Sequence, residues 1–125
     1  MIRATMVAIA LLAVPLTANA QYIDLIGNKL NEGCSLEKYL GIVEEFRGVM
    51  KSEGYPYTVE IAQPLTGEDL GTVWWIGRSQ NLATFGEGYT RWETALTKAG
   101  SPEAKVSQKL NDCATNISRS GSLIR

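Results

Sequence analysis

Trp74 and Trp75 stand side by side in the stretch Gly71-Thr72-Val73-Trp74-Trp75-Ile76-Gly77. The β-branched and aromatic residues here are those of a strand, and successive strand side chains point to opposite faces of a sheet. The two indoles therefore cannot share one hydrophobic layer. A chain with this strand must build a sheet that meets something apolar on each side.

The surrounding sequence supplies the other elements. Gln21 to Asn31 reads as a first strand, with Ile23 and Leu25 alternating with Tyr22, Asp24 and Ile26, and Asn31-Glu32-Gly33-Cys34 breaks it. The clearest helix follows. Ser35 is its N-cap, Glu37 lies in its positive first turn, and Leu36, Tyr39, Leu40, Val43, Phe46 and Met50 recur at helical spacing. Gly54 ends it. In Pro56 to Pro64, Tyr57, Val59 and Ile61 alternate with Thr58, Glu60 and Ala62, the pattern of a half-buried strand.

After the tryptophan strand, Thr84 and Glu87 have the spacing of a capping box. Phe85, Tyr89, Trp92, Leu96 and Ala99 then form an apolar stripe expected to belong to the core. Gly100-Ser101-Pro102 interrupts this second helix, with Ser101 as a new N-cap and Pro102 at the first helical position. Ala114 to Arg125 closes the chain as a last strand.

The order β-α-β-β-α-β is that of a ferredoxin-like α+β sandwich. Right-handed crossovers place both helices on one face of a four-stranded antiparallel sheet, the second helix broken near Gly100-Pro102. The two helices then run in opposite directions. Cys34, at the start of the first, and Cys113, at the end of the second, come to the same end of the fold, so a disulfide between them fits this topology. Closing so long a loop is worth about 4.5 kcal/mol in the chain-entropy model.

The first twenty residues bear on compartment. Arg3, the apolar run Met6 to Leu16 and the small-x-small triplet Ala18-Asn19-Ala20 have the layout of a secretory signal peptide cleaved before Gln21. The run is shorter than a spanning helix requires, so no stable membrane insertion is expected after cleavage. Residues 21–125 are then one exported domain, periplasmic or secreted, in which a cysteine pair is expected to be oxidised. Without Arg3 the chain has 11 basic and 13 acidic residues. No basic patch is present to neutralise phosphates, so nucleic acid is not an expected partner.

With helices on one face only, the other face of the sheet needs cover. Tyr57, Val59 and Ile61 should face the helices, leaving Thr58, Glu60 and Ala62 on the open side. Arg78 needs solvent or a counter-charge, which favours Trp74, Ile76 and Arg78 on that side and Trp75 beneath the helices. The candidate ligand or interface residues on the open face are thus Trp74, Ile76, Arg78, Thr58 and Glu60, with Asp24 and Tyr22 from the first strand. A symmetric dimer through this face would cover it.

In the Gly71 to Trp92 segment and the order of elements around it, the chain resembles the dimeric α/β-barrel superfamily, which includes NIPSNAP-like proteins and the antibiotic biosynthesis monooxygenases. The resemblance implies a homodimer with a cavity at or near the sheets. The export signal and the disulfide depart from that group's usual features and argue against a cytoplasmic metabolic role.

Histidine is absent, which removes the commonest general base and the usual ligands of transition metals and haem. The bonded cysteines leave no thiolate nucleophile, and Gly86 and Gly88 lack the context of a phosphate-binding loop. No metal site or cofactor is expected, and the sequence identifies no catalytic residue. Asp24 and Glu60 remain as carboxylates that burial could adapt to proton transfer, or that pair with Arg78 or Arg119. Asn81 is read as a turn or capping residue, and Asn116-Ile117-Ser118 matches a glycosylation sequon. The expectation is an exported homodimeric module that binds a small apolar or aromatic ligand, or a partner, at its open sheet. The alternatives are a cofactor-independent monooxygenase-like enzyme and an accessory subunit docking a different protein.

Overall fold

A computed structural model describes residues 20–125, and the expected export leader lies outside the described residues. Seven elements follow in order: β1 (Tyr22–Leu30), α1 (Leu36–Ser52), β2 (Tyr57–Ala62), β3 (Val73–Ser79), α2 (Leu82–Leu96), α3 (Pro102–Cys113) and β4 (Ala114–Leu123). The strands form one antiparallel sheet in the order β2-β3-β1-β4. This is the ferredoxin-like α+β arrangement, and the second helix is divided, as expected, at Gly100, whose φ of 79° suits a residue without Cβ.

Side-chain caps fix where the helices begin. The Ser35 hydroxyl accepts from the Lys38 N–H at 3.1 Å, and the Ser101 hydroxyl from the Ala104 N–H at 3.0 Å. The third start differs from the capping box expected at Thr84 and Glu87. Asn81 is the N-cap, its Oδ1 accepting from the Thr84 N–H at 2.8 Å. Thr84 is therefore the residue being capped, and an asparagine three residues upstream does the work expected of its hydroxyl.

The core lies between the sheet and α1. Tyr39, Ile42, Val43, Phe46 and Met50 pack over Val59, Val73 and Trp75, joined by Val106 and Cys113 of α3. A disulfide joins Cys34 to Cys113, with their Cα atoms 5.2 Å apart. Asn31 reinforces the same corner: its N–H donates to the Cys113 carbonyl at 2.8 Å, and its Oδ1 accepts from the Thr115 hydroxyl at 2.7 Å. Among the described residues, no helix is long and apolar enough to cross a membrane.

In β3, Val73, Trp75, Gly77 and Ser79 are buried under the helices, while Trp74, Ile76 and Arg78 are half-buried on the opposite face. The β2 register puts Val59 opposite Gly77 and Glu60 opposite Ile76, so Thr58, Glu60 and Ala62 share the open face with Trp74. Asp24 and Tyr22 do not join them. Asp24 pairs with Gly77 and Tyr22 with Ser79, and directly opposed residues share a face. Both point toward the helices, which corrects their expected position.

Candidate functional site

The helix-covered side of the sheet is not fully filled. A cleft of about 200 Å³ lies between the sheet and the helices, and Asp24, Tyr57, Trp75 and Arg119 line it from the strands. Its helical walls carry Tyr39, Phe46 and Met50 from α1 and Phe85, Tyr89 and Trp92 from α2. None of the 15 residues of α2 is buried. The aromatic stripe expected to be core is instead a wall of the cleft. It touches the body of the fold through ring contacts, Phe85 to Tyr22 at 4.3 Å and Trp92 to Phe46 at 5.5 Å between centroids.

A chain of hydrogen bonds crosses the floor of the cleft. The Trp75 Nε1–H donates to the Tyr57 hydroxyl at 2.8 Å, and that hydroxyl donates to Asp24 Oδ2 at 3.0 Å. Arg119 closes the chain in bidentate fashion, Nε to Oδ1 and Nη2 to Oδ2, each at 2.9 Å. Burial, and after it the charge of Asp24, pushes the Tyr57 phenol far above its ordinary range, so it remains a protonated donor. The hydrogen bond to Asp24 raises the pKa of Arg119. Asp24 itself is almost completely buried, and this pairing is what makes a buried carboxylate tolerable.

Two backbone features aim these groups. Tyr57 must cross β3 to reach Asp24, and its ring lies over Gly77, where any Cβ would overlap the phenol. Gly121 makes the same space under the ring of Tyr22. On β4, Ser118 pairs with Gly27 but Asn116 pairs with Asn28, so Ile117 is the extra residue of a β-bulge. Strand alternation alone would put Asn116 and Arg119 on opposite faces. The bulge brings both to the cleft.

A second pair lies near the other wall. The buried Tyr55 hydroxyl donates to Glu103 Oε2 at 2.9 Å. The Arg91 guanidinium sits 4.2 Å above the Tyr55 ring. Burial first, and then the bond to Glu103, pushes the Tyr55 phenol up to about 12.

On the open face, Glu60 meets Arg78 at 3.6 Å. Trp74 lies against Gly27, its ring 3.0 Å from where a Cβ on that glycine would be. Trp74, Ile76, Arg78, Thr58 and Glu60 are thus together, whereas Asp24 and Tyr22 belong to the cleft. Asn81 is a cap. The Asp24–Arg119 pairing had a sequence signal only as one alternative for Asp24. Tyr57 as its second partner had none beyond the mid-strand glycine Gly77, which marks a close approach.

No protein-family model and no curated protein match the chain. Solved structures do. Over 86% of its length the chain is similar to the hydroxynitrile lyase from Passiflora edulis, with a TM-score of 0.58, 10% identity and 95% of that chain covered. Over 86% it is also similar to a conserved protein of unknown function from Bacteroides thetaiotaomicron, suggested to be an oxidoreductase, with a TM-score of 0.57, 13% identity and 100% of that chain covered. A candidate antibiotic biosynthesis monooxygenase from Chloroflexus aurantiacus matches 83% of the chain and is itself 93% covered, with a TM-score of 0.52 and 12% identity. At such identities the likeness is one of fold. This chain has a ferredoxin-like α+β fold.

Proposed function

We propose that this chain is an exported binding module that takes a small apolar or aromatic molecule into the cleft beneath its helices, and whose open sheet face is covered by a second copy. The observation that carries this reading is α2. Its three aromatic residues line the cleft while none of its residues is buried, so a bound molecule would supply the packing this helix lacks. The binding site in this reading is the helix-covered cleft rather than the open face. The N-terminal leader pattern and the disulfide support export of residues 21–125 as one domain.

Binding accounts for the cleft better than catalysis does. Both Asp24 oxygens are engaged by Arg119 and Tyr57, and the phenols of Tyr39, Tyr55 and Tyr57 are all pushed upward by burial. None of these phenols is poised to exchange a proton near neutral pH. On the other face, Ile23, Leu25, Trp74 and Ile76 form a half-buried apolar strip beside Ser118, Ser120 and Ser122, a surface that a symmetric copy could match.

Light scattering on the mature chain, followed by native mass spectrometry, tests both parts. The expected result is twice the chain mass with an added small-molecule mass that is lost on denaturation. A monomer would overturn the second-copy assignment and turn the search to a different protein for the open face.

A further inference from the structure

Tyr39 lines the inner wall of the cleft and is 1% exposed. The other buried phenols of the cleft are committed, Tyr55 to Glu103 and Tyr57 to Asp24. The Tyr39 hydroxyl makes no hydrogen bond among the described residues. Burial alone, with no contribution from a charge or a hydrogen bond, pushes its pKa up to about 12. Yet among the described residues no fully enclosed side-chain oxygen or nitrogen lacks a partner. The Tyr39 hydroxyl is therefore not sealed in protein, and the cleft is the space that Tyr39 lines. A buried donor without a protein partner is costly unless something else satisfies it.

The charge balance narrows what that something is. Asp24 and Arg119 are the only charged side chains lining the cleft among the described residues, and they neutralise one another. An ionised ligand would find no unpaired counter-charge there and would lose its hydration. Size sets a further limit. A cavity of roughly 150 Å³ holds a benzene, so about 200 Å³ leaves room for a ring and a short substituent.

We propose that the cleft selects uncharged, ring-bearing compounds through a carbonyl oxygen that accepts a hydrogen bond from the Tyr39 hydroxyl, an inference that rests on the cleft being a binding site. Tyr39 stands one turn into α1 and Asn28 near the end of β1, joined by the short connection through Cys34. Both line the cleft, so its disulfide end is the one that recognises polarity. The aromatic residues of α2 then cover the apolar frame.

Three matched probes test this on the disulfide-intact mature chain by isothermal titration calorimetry: acetophenone, its oxygen-free counterpart ethylbenzene, and benzoate. In Tyr39→Phe, acetophenone is expected to bind roughly 3- to 10-fold more weakly, the span of one net hydrogen bond, while ethylbenzene changes by less than about twofold. Benzoate should bind the unmodified chain at least about tenfold more weakly than acetophenone. Equal effects of Tyr39→Phe on acetophenone and ethylbenzene would overturn the role of Tyr39 and leave the cleft a binding site. Benzoate matching acetophenone would overturn the selection against charge. If none of the three probes binds, the cleft reading fails and this inference with it. Should Tyr39→Phe fail to fold, the infrared carbonyl stretch of acetophenone bound to the unmodified chain decides the point. A stretch lowered from its value in hexane supports the hydrogen bond, and an unchanged one overturns it.

Discussion

The two faces of the sheet use the adjacent tryptophans of β3 in opposite ways. On the helix side Trp75 is buried, edge-on to Phe46 at 4.7 Å, and its N–H is fixed by the Tyr57 hydroxyl. On the open side Trp74 stays half-buried, laid against the backbone of Gly27. One indole is a structural joint that carries a polar handle into the core. The other covers surface without being locked. The difference is that between a face covered by the chain's own helices and a face that those helices leave bare.

The two tryptophans should therefore respond very differently to truncation, and this is the largest effect expected. Trp75→Ala removes a buried ring and the donor to Tyr57, and should cost about 3–5 kcal/mol in denaturant unfolding. Trp74→Ala should cost about 1 kcal/mol or less in the monomer, and should instead shift the oligomeric state seen by light scattering. If Trp74→Ala unfolds the chain while Trp75→Ala changes only association, the roles of the two faces are reversed.

The glycines sharpen the same contrast. A Cβ on Gly77 would drive into the Tyr57 ring, which Trp75 and Asp24 hold by hydrogen bonds and which cannot simply swing away. Gly77→Ala should cost about 2–3 kcal/mol. On the open face, a Cβ on Gly27 would meet the Ser118 hydroxyl at 2.6 Å and the Trp74 ring at 3.0 Å. That serine is exposed and free to rotate, so Gly27→Ala should cost about 1 kcal/mol. Equal thermal shifts for the two variants would mean that Tyr57 is no more firmly held than Trp74.

The contrast between the faces also explains what was legible in the sequence. Order of elements, helix break and disulfide could be read because each depends on local signals: caps at Ser35 and Ser101, alternation in β2, and the opposed directions of two helices. The open-face positions of Trp74 and Arg78 followed from alternation together with the need of Arg78 for solvent or a counter-charge. Asp24 and Tyr22 were misplaced because β1 alternates weakly, with apolar residues on both faces, so only its pairing with β3 fixes which way it points. The cleft was not legible for two reasons. A bulge at Ile117 that turns Arg119 inward has no residue signature. And the α2 stripe has the periodicity of a core helix whether it meets the sheet or stops short of it. Periodicity reports which side of a helix is apolar, and gives no measure of how far away its partner lies.

Asp24→Asn probes the helix side more gently. The pair with Arg119 loses its charge attraction, but Arg119 is 43% exposed in its side chain and solvent can take up much of the difference. The expected cost is about 1–2 kcal/mol, smaller than for a fully buried pair. It should shrink further in high salt only if the guanidinium moves out into water, a response that unfolding curves at two ionic strengths would reveal.

A further effect is confined to alkaline pH and concerns the phenols on the helix side. Tyr39 and Tyr55 are each held near 12 by burial, against an ordinary value of 10.0. A folded-state pKa raised above the unfolded one means that the native chain keeps these protons when the unfolded chain releases them. The stability this contributes is complete below pH 10 and is lost as pH rises from 10 toward 12. Ultraviolet titration of tyrosinate should accordingly show Tyr39 and Tyr55 ionising only near pH 12, together with unfolding. In Tyr39→Phe the alkaline loss of stability should be reduced, leaving the shares of Tyr55 and Tyr57. Ionisation of all five tyrosines near pH 10 with the fold intact would mean that the helix-side phenols are open to water, and the distinction between a closed face and an open one would then rest on the tryptophans alone.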